Sequence, residues 1–311
     1  MKNYRYELDK SSRKHTCPAC EHKTFVLYID NLTGHPVHSS VGRCDRANNC
    51  AHHYPPKQYF ADNHIGNLRS YTPPPKPRLQ LQPSVIKPEL LKKSLSNYEH
   101  NHFAQWLAGV VGNDSVSEAI GRYFVGTWGH GTVFWQIDLQ GRIRTGKIIT
   151  YDKDGHRRKD IIPPVQWMHT VSETPGFILR QCFFGEHLLS GNNKPVAITE
   201  SEKTAVIASI YLPDMVWLSC GNCEGLNSKK YAVLTGRNVV LYPDAKMFNK
   251  WSDKAKQLRA ICHKVSVSNL IETVSTEQER KAGLDLADFL IRFSPSEFAK
   301  IKSSEKSLSL Y

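Results

Sequence analysis

The sequence lacks any long apolar run. No stretch of its 311 residues approaches the roughly 18 apolar residues that a membrane span needs. Met1-Lys2-Asn3-Tyr4 is not followed by the apolar core of a signal peptide. We therefore expect a cytoplasmic protein that has no membrane partner. In that compartment its eight cysteines favour metal ligands or ordinary buried thiols over a disulfide framework.

Acidic residues are fewer than basic ones. The chain has 41 Lys plus Arg against 29 Asp plus Glu, which gives a formal net charge of +12. This excess favours polyanionic partners such as nucleic acids, although a merely basic soluble protein has the same balance. The length is sufficient for two domains and a small additional module.

Four cysteines lie close together near the N-terminus. Cys17 and Cys20 form a C-x2-C knuckle, whereas Cys44 and Cys50 have the less usual spacing C-x5-C. Between the two pairs, an apolar segment, a turn containing Gly34 and a returning segment predict a hairpin. We predict a zinc ribbon over residues 1–60, in which the metal supplies folding energy that a small core lacks.

The predicted zinc is structural, because a site with four protein ligands has no open position for chemistry. The unusual spacing of the second pair leaves an alternative open. His22, His52 or His53 could replace one cysteine as a ligand. Histidines in such a polar ribbon are otherwise solvated.

Proline-rich sequence follows, with Tyr71-Thr72-Pro73-Pro74-Pro75-Lys76-Pro77-Arg78 at its centre. It predicts an extended linker over residues 61–88, or alternatively a loop packed along the next domain. Residues 89–190 then show helical patterns at 89–95 and 98–111, followed by two strands at 132–138 and 142–151. We expect a mixed α+β subdomain there.

Basic residues concentrate around the two predicted strands, close in sequence to Trp135 and Tyr151. They are Arg142, Arg144, Lys147, Arg157, Arg158 and Lys159. Basic and aromatic residues interleaved on strands suit a track for nucleic acid. A solvated charged face is the alternative.

From Val196 onward, apolar strands and helices alternate. The strands are predicted to end near Glu200, Ser219, Asp244 and Ser268. The helices are predicted near 202–211, 228–234, 250–262 and 278–293. Such alternation implies an α/β domain with a parallel sheet and crossover helices, over residues 191–311.

Two acidic residues stand where such a sheet binds ligands. Glu200 follows one strand directly and Asp244 follows another. Because ligands bind at the carboxyl ends of parallel strands, the two carboxylates could share a divalent cation or transfer a proton. Taken singly, Glu200 could instead be a helix-capping acid and Asp244 a plain loop acid.

The chain resembles the bacterial and phage DNA primases, in the order zinc ribbon, small mixed domain and acidic α/β domain. Its C-terminal part resembles their Toprim domain. The segments Phe184-Gly185-Glu186-His187-Leu188-Leu189 and Glu200-Ser201-Glu202-Lys203-Thr204-Ala205 are similar to primase-like Toprim proteins of bacterial mobile elements. The expected fold is thus α/β with small α+β parts: a zinc ribbon, a primase-like α+β subdomain and a Toprim domain.

The resemblance also implies roles for individual residues. Glu200 takes the place of the general acid or base in phosphoryl transfer. Asp244 matches the first acid of the Asp-x-Asp motif that binds Mg2+ or Mn2+, and Asp285 fits a third acidic position that follows a glycine. Lys246 stands where the motif has its second aspartate, so one ligand is missing there. The lysine could instead hold a nucleotide phosphate as a point charge. Lys203 could also reach a phosphate.

Two functions follow from the resemblance. The first is a primase of mobile-element replication that joins ribonucleotides on single-stranded DNA, with a replicative helicase as a possible partner. The second is a DNA-binding replication factor that has a zinc ribbon and a Toprim-derived domain but no turnover. A Toprim nuclease is a third, weaker alternative, and a topoisomerase is disfavoured because the chain lacks room for the domains that carry a strand-breaking tyrosine.

Overall fold

A computed structural model describes residues 4–63 and 82–304. The chain forms two compact units, Met1–Gln80 and Leu81–Tyr311. The proline-rich centre of the predicted linker lies outside the described residues. No helix among the described residues is both long enough and apolar enough to cross a bilayer.

The described residues of the first unit, 4–63, form a small antiparallel sheet and one short helix. Its elements are β1 (Tyr6–Leu8), β2 (His15–Thr16), β3 (Lys23–Asp30), β4 (Gly42–Cys44), β5 (His53–Tyr54) and α1 (Pro56–Asp62). The strand order is β1-β3-β4-β5, and β2 pairs with the other end of β3. The predicted hairpin is therefore present, but its returning strand, predicted over 36–41, begins at Gly42.

The core of this unit is small. Its buried cluster consists of Cys17, Phe25, Leu27 and Cys44, and Cys20 and Cys50 pack against it. Since two of the four buried members are cysteines, apolar side chains alone provide little hydrophobic stabilisation. This composition fits a fold that depends on a metal.

The second unit begins with helices and an antiparallel sheet. These elements are α2 (Pro88–Ser94), α3 (His102–Val111), α4 (Asn113–Tyr123), β6 (Gly126–Trp128), β7 (Gly131–Ile137), β8 (Ile143–Thr150), β9 (Gln166–Trp167) and α5 (Met168–Val171). The sheet has the order β6-β7-β8-β9. The chain that precedes α2 pairs with this sheet, because Ile86 N–H donates to the Ile143 carbonyl at 2.8 Å.

A parallel sheet follows in the same unit. Its elements are β10 (Val196–Thr199), α6 (Glu202–Tyr211), β11 (Val216–Ser219), β12 (Asn238–Leu241), α7 (Phe248–Leu258), β13 (Lys264–Val267), α8 (Leu270–Val274), α9 (Glu277–Ala282), α10 (Leu286–Leu290) and α11 (Pro295–Ser304). The strand order is β11-β10-β12-β13, and all three pairings are parallel. The predicted mixed α/β architecture with a C-terminal parallel sheet is confirmed.

The predicted helix over 278–293 is wrong in one respect. The structure divides it into α9 and α10, because Gly283 ends α9 in the left-handed region, at φ 82°. Asp285 then caps the N-terminus of α10 by accepting a hydrogen bond from Asp288 N–H. A glycine C-cap followed by an aspartate N-cap is a strong local stop and start signal.

One hydrophobic cluster joins the two sheets of the second unit. It includes Phe103 and Phe134 beside the antiparallel sheet, and Ala205 and Trp217 in the parallel-sheet region. Tyr123 on α4 also donates a hydrogen bond to the Trp217 carbonyl at 2.9 Å. This shared core packs the antiparallel sheet against the parallel-sheet region.

Candidate active site and metal centre

The four cysteines of the first unit converge on one point. Their Sγ atoms all lie within 4.8 Å of one another. The Cys17–Cys50 sulfur distance is 3.8 Å and the Cys20–Cys44 distance is 3.9 Å. Tetrahedral zinc with Zn–S bonds of about 2.3 Å places its sulfur ligands about 3.8 Å apart. The predicted cysteine set therefore fits one structural Zn2+.

None of the three alternative histidines belongs to this group of ligands. His53 Nε2 lies 2.9 Å from the Tyr28 hydroxyl, and His22 Nδ1 pairs with the Cys20 carbonyl. A hydrogen bond from the His22 backbone N–H helps to lower the pKa of Cys20 to about 6. This bond favours the thiolate of Cys20, which is the form that binds zinc.

The two leading acidic residues lie on neighbouring strands. β10 and β12 pair in parallel with Ile198 opposite Leu241, and Tyr242 N–H donates to the Ile198 carbonyl at 2.8 Å. Glu200 is two residues beyond Ile198, and Asp244 is three beyond Leu241. Since paired strands lie about 4.8 Å apart, both residues leave the sheet at the same edge and almost the same level.

Asp285 reaches the same edge from the C-terminal helices. Ala245 N–H donates to the Leu284 carbonyl at 2.9 Å, so the loop after β12 lies against the start of α10. The Thr204 hydroxyl on α6 donates to the Asp285 carboxylate at 2.6 Å. Asp285 is therefore held between the helix that follows Glu200 and the loop that carries Asp244.

The carboxylates influence one another electrostatically. Burial, together with the charges of Asp285, Glu200 and Asp288, raises the pKa of Asp244 to about 9. Burial also raises the pKa of Glu200, against the opposing effect of a hydrogen bond from the Trp251 indole at 3.2 Å. Burial and the neighbouring Asp288 raise the pKa of Asp285. The edge is thus a half-buried group of carboxylates that favours a proton or a cation.

The three predicted carboxylates are nevertheless not as close as the cysteines. Within residues 4–63 and 82–304, only the cysteine group has three or more ligand atoms within 4.8 Å of one another. Like charges repel, and hydrogen bonds hold Glu200 and Asp285 to Trp251 and Thr204. Sequence reasoning missed both donors, because neither residue type has a pattern that marks it as a partner.

Lys147, predicted to bind nucleic acid, is instead part of a buried ion pair. Its Nζ lies 2.9 Å from Oε2 of Glu202 and 3.0 Å from the Gly221 carbonyl. The side chains are 11% and 1% exposed. Lys147 lies on β8, Glu202 opens α6 and Gly221 follows β11. Three segments therefore meet beside Glu200, and Lys147 is inaccessible to a nucleic acid in this structure.

Arg144 is also buried, and its side chain is 4% exposed. Its Nε donates to Asp138 Oδ2 at 2.8 Å, and Arg142 Nε donates to the same oxygen at 2.8 Å. Trp135 and Tyr151 are 0% and 4% exposed. The expected aromatic track does not form from these two rings, because both pack in the core instead of facing solvent.

The remaining predicted cations lie nearer the surface. Arg157, Arg158 and Lys246 are exposed, and Arg158 forms an ion pair with Asp160. The Lys246 backbone N–H donates to Glu272 at 2.6 Å, and the residue adopts a left-handed conformation with φ 69°. Lys203 is half-buried, and its Nζ donates to the Gly155 carbonyl at 3.1 Å.

Two family descriptions match parts of the chain. Residues 4–65 match a zinc beta-ribbon finger, in agreement with the cysteine site. Residues 101–245 match a family described as "Domain of unknown function (DUF6371)". That match runs from the helices before β6 through Glu200 to Asp244. No curated protein matches the chain.

Solved structures similar to the chain include primase fragments. The primase fragment of the bacteriophage T7 primase-helicase has a TM-score of 0.34 and 15% identity, with 82% of this chain and 88% of that chain covered. The DnaG primase catalytic domain bound to ssDNA has a TM-score of 0.38 and 13% identity, with 66% and 82% covered.

A third similar structure contains the zinc-binding and RNA polymerase domains of the Aquifex aeolicus primase. Its TM-score is 0.34 and its identity 11%, with 96% of this chain and 80% of that chain covered. TM-scores this low establish neither a shared fold nor a shared activity. By sequence, the chain thus matches a zinc ribbon at its N-terminus. Its structural neighbours are DNA primase fragments.

Proposed function

We propose that the protein is a primase-type nucleotidyltransferase that joins ribonucleotides on a single-stranded DNA template in the replication of a mobile element. The observation that carries this proposal is the acidic edge of the parallel sheet. There Glu200 and Asp244 follow adjacent parallel strands, and the charges of Glu200 and Asp285 act on Asp244. On this proposal, residues 191–311 are a Toprim domain.

The residues at this edge suit one Mg2+ or Mn2+ ion. Both metals prefer carboxylate oxygens, and Asp244 with Glu200 would supply them, with Asp285 as a third. Such an ion, when bound, would neutralise negative charge that develops on the transferred phosphoryl group. Part of Asp285 is already engaged, because its oxygens accept from Thr204 and Asp288 N–H.

Glu200 would act as general base on the attacking hydroxyl. Burial moves its pKa upward and so closer to the pH at which a carboxylate exchanges protons efficiently. The Trp251 indole N–H orients the carboxylate by a 3.2 Å hydrogen bond. Lys246, exposed two residues after Asp244, would contribute charge to an incoming nucleotide phosphate.

The zinc ribbon would engage the DNA template, and exposed cations of the second unit would hold the phosphate backbone. A replicative helicase is the partner that such a primase would need during replication. In this proposal the chain consists of a zinc ribbon (1–60), a linker (61–88), a primase-like α+β subdomain (89–190) and a Toprim domain (191–311).

A priming assay tests the proposal. The purified full chain, with single-stranded DNA, ribonucleotides and Mg2+, is expected to make short oligoribonucleotides. Glu200→Gln removes the proton acceptor and keeps the shape, so synthesis should fall by about 10²- to 10⁴-fold. Glu118→Gln, at an exposed glutamate on α4, is the matched control and should leave synthesis unchanged. Undiminished synthesis by Glu200→Gln would remove Glu200 from the mechanism.

A second candidate is a DNA-binding replication factor without turnover. Two observations favour it: Lys246 stands in the place of a second aspartate, and hydrogen bonds within the protein occupy Asp285. Titration calorimetry with Mg2+ and Mn2+ separates the two functions. Absence of saturable binding of either ion, together with salt-sensitive binding of single-stranded DNA, would favour the factor over the enzyme.

A further inference from the structure

The chain leaves β8 through a tight turn that carries several cations. We call residues 152–159 the basic turn. Asp152 N–H donates to the His156 carbonyl at 2.9 Å, and Arg158 N–H donates to the Thr150 carbonyl at 2.9 Å. These bonds close the turn as a short hairpin. Lys153, Arg157, Arg158 and Lys159 are all exposed.

The tip of the basic turn is fastened to the rest of the second unit. Gly155 is buried although its neighbours are exposed. A Cβ atom at Gly155 would lie 2.3 Å from the Trp106 ring, so the backbone rests directly on the indole. Lys203 Nζ donates to the Gly155 carbonyl at 3.1 Å and lies 4.8 Å from the centroid of the Trp106 ring. Lys203 and Trp106 thus clamp Gly155.

The clamp lies beside the acidic edge. Lys203 is three residues after Glu200, and its charge opposes the effect of burial, which raises the pKa of Asp285. Tyr151, which precedes the turn, is buried, and the charges of Glu202 and Asp285 raise its pKa further. The lysine that holds the tip of the basic turn is therefore close to the carboxylates, and so is the tyrosine that precedes the turn.

Three cations of the basic turn are available to a ligand. Arg158 forms an ion pair with Asp160. In the part of the chain that the structure describes, Lys153, Arg157 and Lys159 form no ion pair. Exposed, unpaired cations on a rigid support suit a row of phosphates, because each contact releases counterions and costs little reorganisation.

We propose that the basic turn binds the phosphate backbone of a single-stranded polynucleotide, and that Lys203 is a positioning residue that holds it through Gly155 and Trp106. This inference rests on the proposed function, since it names where the strand approaches the acidic edge. In this arrangement Lys203 holds the basic turn in place and does not itself bind a phosphate. Sequence motifs do not mark the clamp, because its three members are 48 or more residues apart in sequence.

The test measures binding of a fluorescently labelled single-stranded oligonucleotide to the zinc-loaded full chain over a range of salt concentrations. Each phosphate contact contributes about 0.7 to the slope of log affinity against log salt for single strands. The double variant Arg157→Ala with Lys159→Ala removes two cations, so its slope should be smaller in magnitude by about 1.4. An unchanged slope in this variant would overturn the assignment of the turn.

A matched pair of glycine variants tests the positioning role. Gly155→Ala drives a methyl group into Trp106, whereas Gly141→Ala, in the turn between β7 and β8, meets nothing within 4 Å. Both glycines have similar positive φ angles, +76° and +77°, so both substitutions carry the same backbone strain. Gly155→Ala should reduce the salt slope although every cation is retained, and Gly141→Ala should keep the wild-type slope.

Lys203→Met provides a second route that does not depend on strain. It removes the bond to Gly155 and should reduce the salt slope by more than the single charge it deletes, because the displaced turn also loses contacts. Wild-type slopes in both Gly155→Ala and Lys203→Met would overturn the positioning role. DNA binding that follows these expectations in a protein with no synthesis would leave the basic turn standing and reject the proposed enzyme.

Discussion

The cysteine centre of the first unit and the acidic edge of the second differ in how far each is assembled. The four sulfur atoms already stand at the spacing that zinc requires, in a unit whose core contains two of the cysteines. The carboxylates lie at one edge of a sheet whose unit has a large apolar core, but they remain spread, because charge repulsion and hydrogen bonds hold them apart.

This difference reflects what each site contributes to folding. Zinc would stabilise a unit that lacks sufficient apolar surface, so its ligands must converge in the folded state. The acidic edge belongs to a unit that folds around its own hydrophobic cluster. Ionisation of its half-buried carboxylates lowers stability unless a proton or cation neutralises them. The first site is therefore structural, and the second carries an electrostatic cost that a bound proton or cation would relieve.

Breaking the zinc centre should have the largest effect. Cys44→Ser removes a buried ligand, and structural zinc contributes an apparent folding free energy of about 10–16 kcal/mol in zinc-finger peptides. We expect metal analysis to show about one zinc per wild-type chain. Limited proteolysis should then show the first unit unfolded in the variant. Cys262→Ser, at a cysteine of the second unit, is the control and should keep its zinc. A zinc-loaded, protease-resistant Cys44→Ser protein would contradict the account.

The ion pair beside Glu200 should give the next largest effect. Lys147→Met leaves Glu202 charged and buried without its partner, which typically costs about 3–5 kcal/mol. Denaturant unfolding of the second unit measures this loss. The double variant Lys147→Met with Glu202→Leu should recover most of it, because the two apolar side chains replace the pair. A double variant as unstable as Lys147→Met would show that the charge alone is not the cause.

Asp244 should make the acidic edge sensitive to pH. Its pKa is about 9 in the folded chain without a divalent cation, and about 3.9 is usual for an unfolded aspartate. Between these values the folded state binds more protons, so stability falls as pH rises, by up to about 1.4 kcal/mol per pH unit. Asp244→Asn does not titrate, so its stability advantage over wild type should grow from pH 5 to about 8.

Thermal unfolding in a chelator-free buffer without Mg2+ measures this difference, with the zinc site loaded throughout. Asp160→Asn is the control, because the exposed Asp160 has a pKa lowered by its hydrogen bond from Arg158. It should show no growing advantage. If the stability of wild type and of Asp244→Asn changes with pH in parallel, the raised pKa of Asp244 at the sheet edge is refuted.

A surface ion pair should give the smallest effect. Arg122 and Glu118 pair one turn apart on α4, with side chains 35% and 72% exposed. Glu118→Gln should change the unfolding free energy by no more than about 0.5 kcal/mol. Denaturant unfolding beside Lys147→Met then separates an exposed pair from a buried one. If Glu118→Gln lost as much unfolding free energy as Lys147→Met, burial of the ion pair could not explain the large effect of Lys147→Met.

The sequence was sufficient to predict the parallel sheet and its edge. The four strands end at Thr199, Ser219, Leu241 and Val267, within three residues of the predicted positions. Helix α6 begins and ends where the pattern places it. These features depend on local apolar runs and on short-range stop signals, which are visible in a single sequence. The domain boundary at residue 190 remains a prediction.

The partners of the charged residues could not be predicted in the same way. Lys147 has an ordinary position on a strand, and its partner Glu202 is 55 residues away. Whether a strand cation faces solvent or a buried acid depends on what covers that face, which only the tertiary packing of β8 against α6 decides. For the same reason the sequence placed Arg144 and Trp135 on an open track, whereas both are buried.

The most direct test of the central claim is anomalous diffraction from crystals of the zinc-loaded chain grown with Mn2+. We expect one anomalous peak at the carboxyl ends of β10 and β12, bonded to oxygens of Glu200 and Asp244. We also expect a separate zinc peak among the four cysteines. A zinc peak with no manganese bound at the sheet edge would contradict the proposal that these acids hold a catalytic cation.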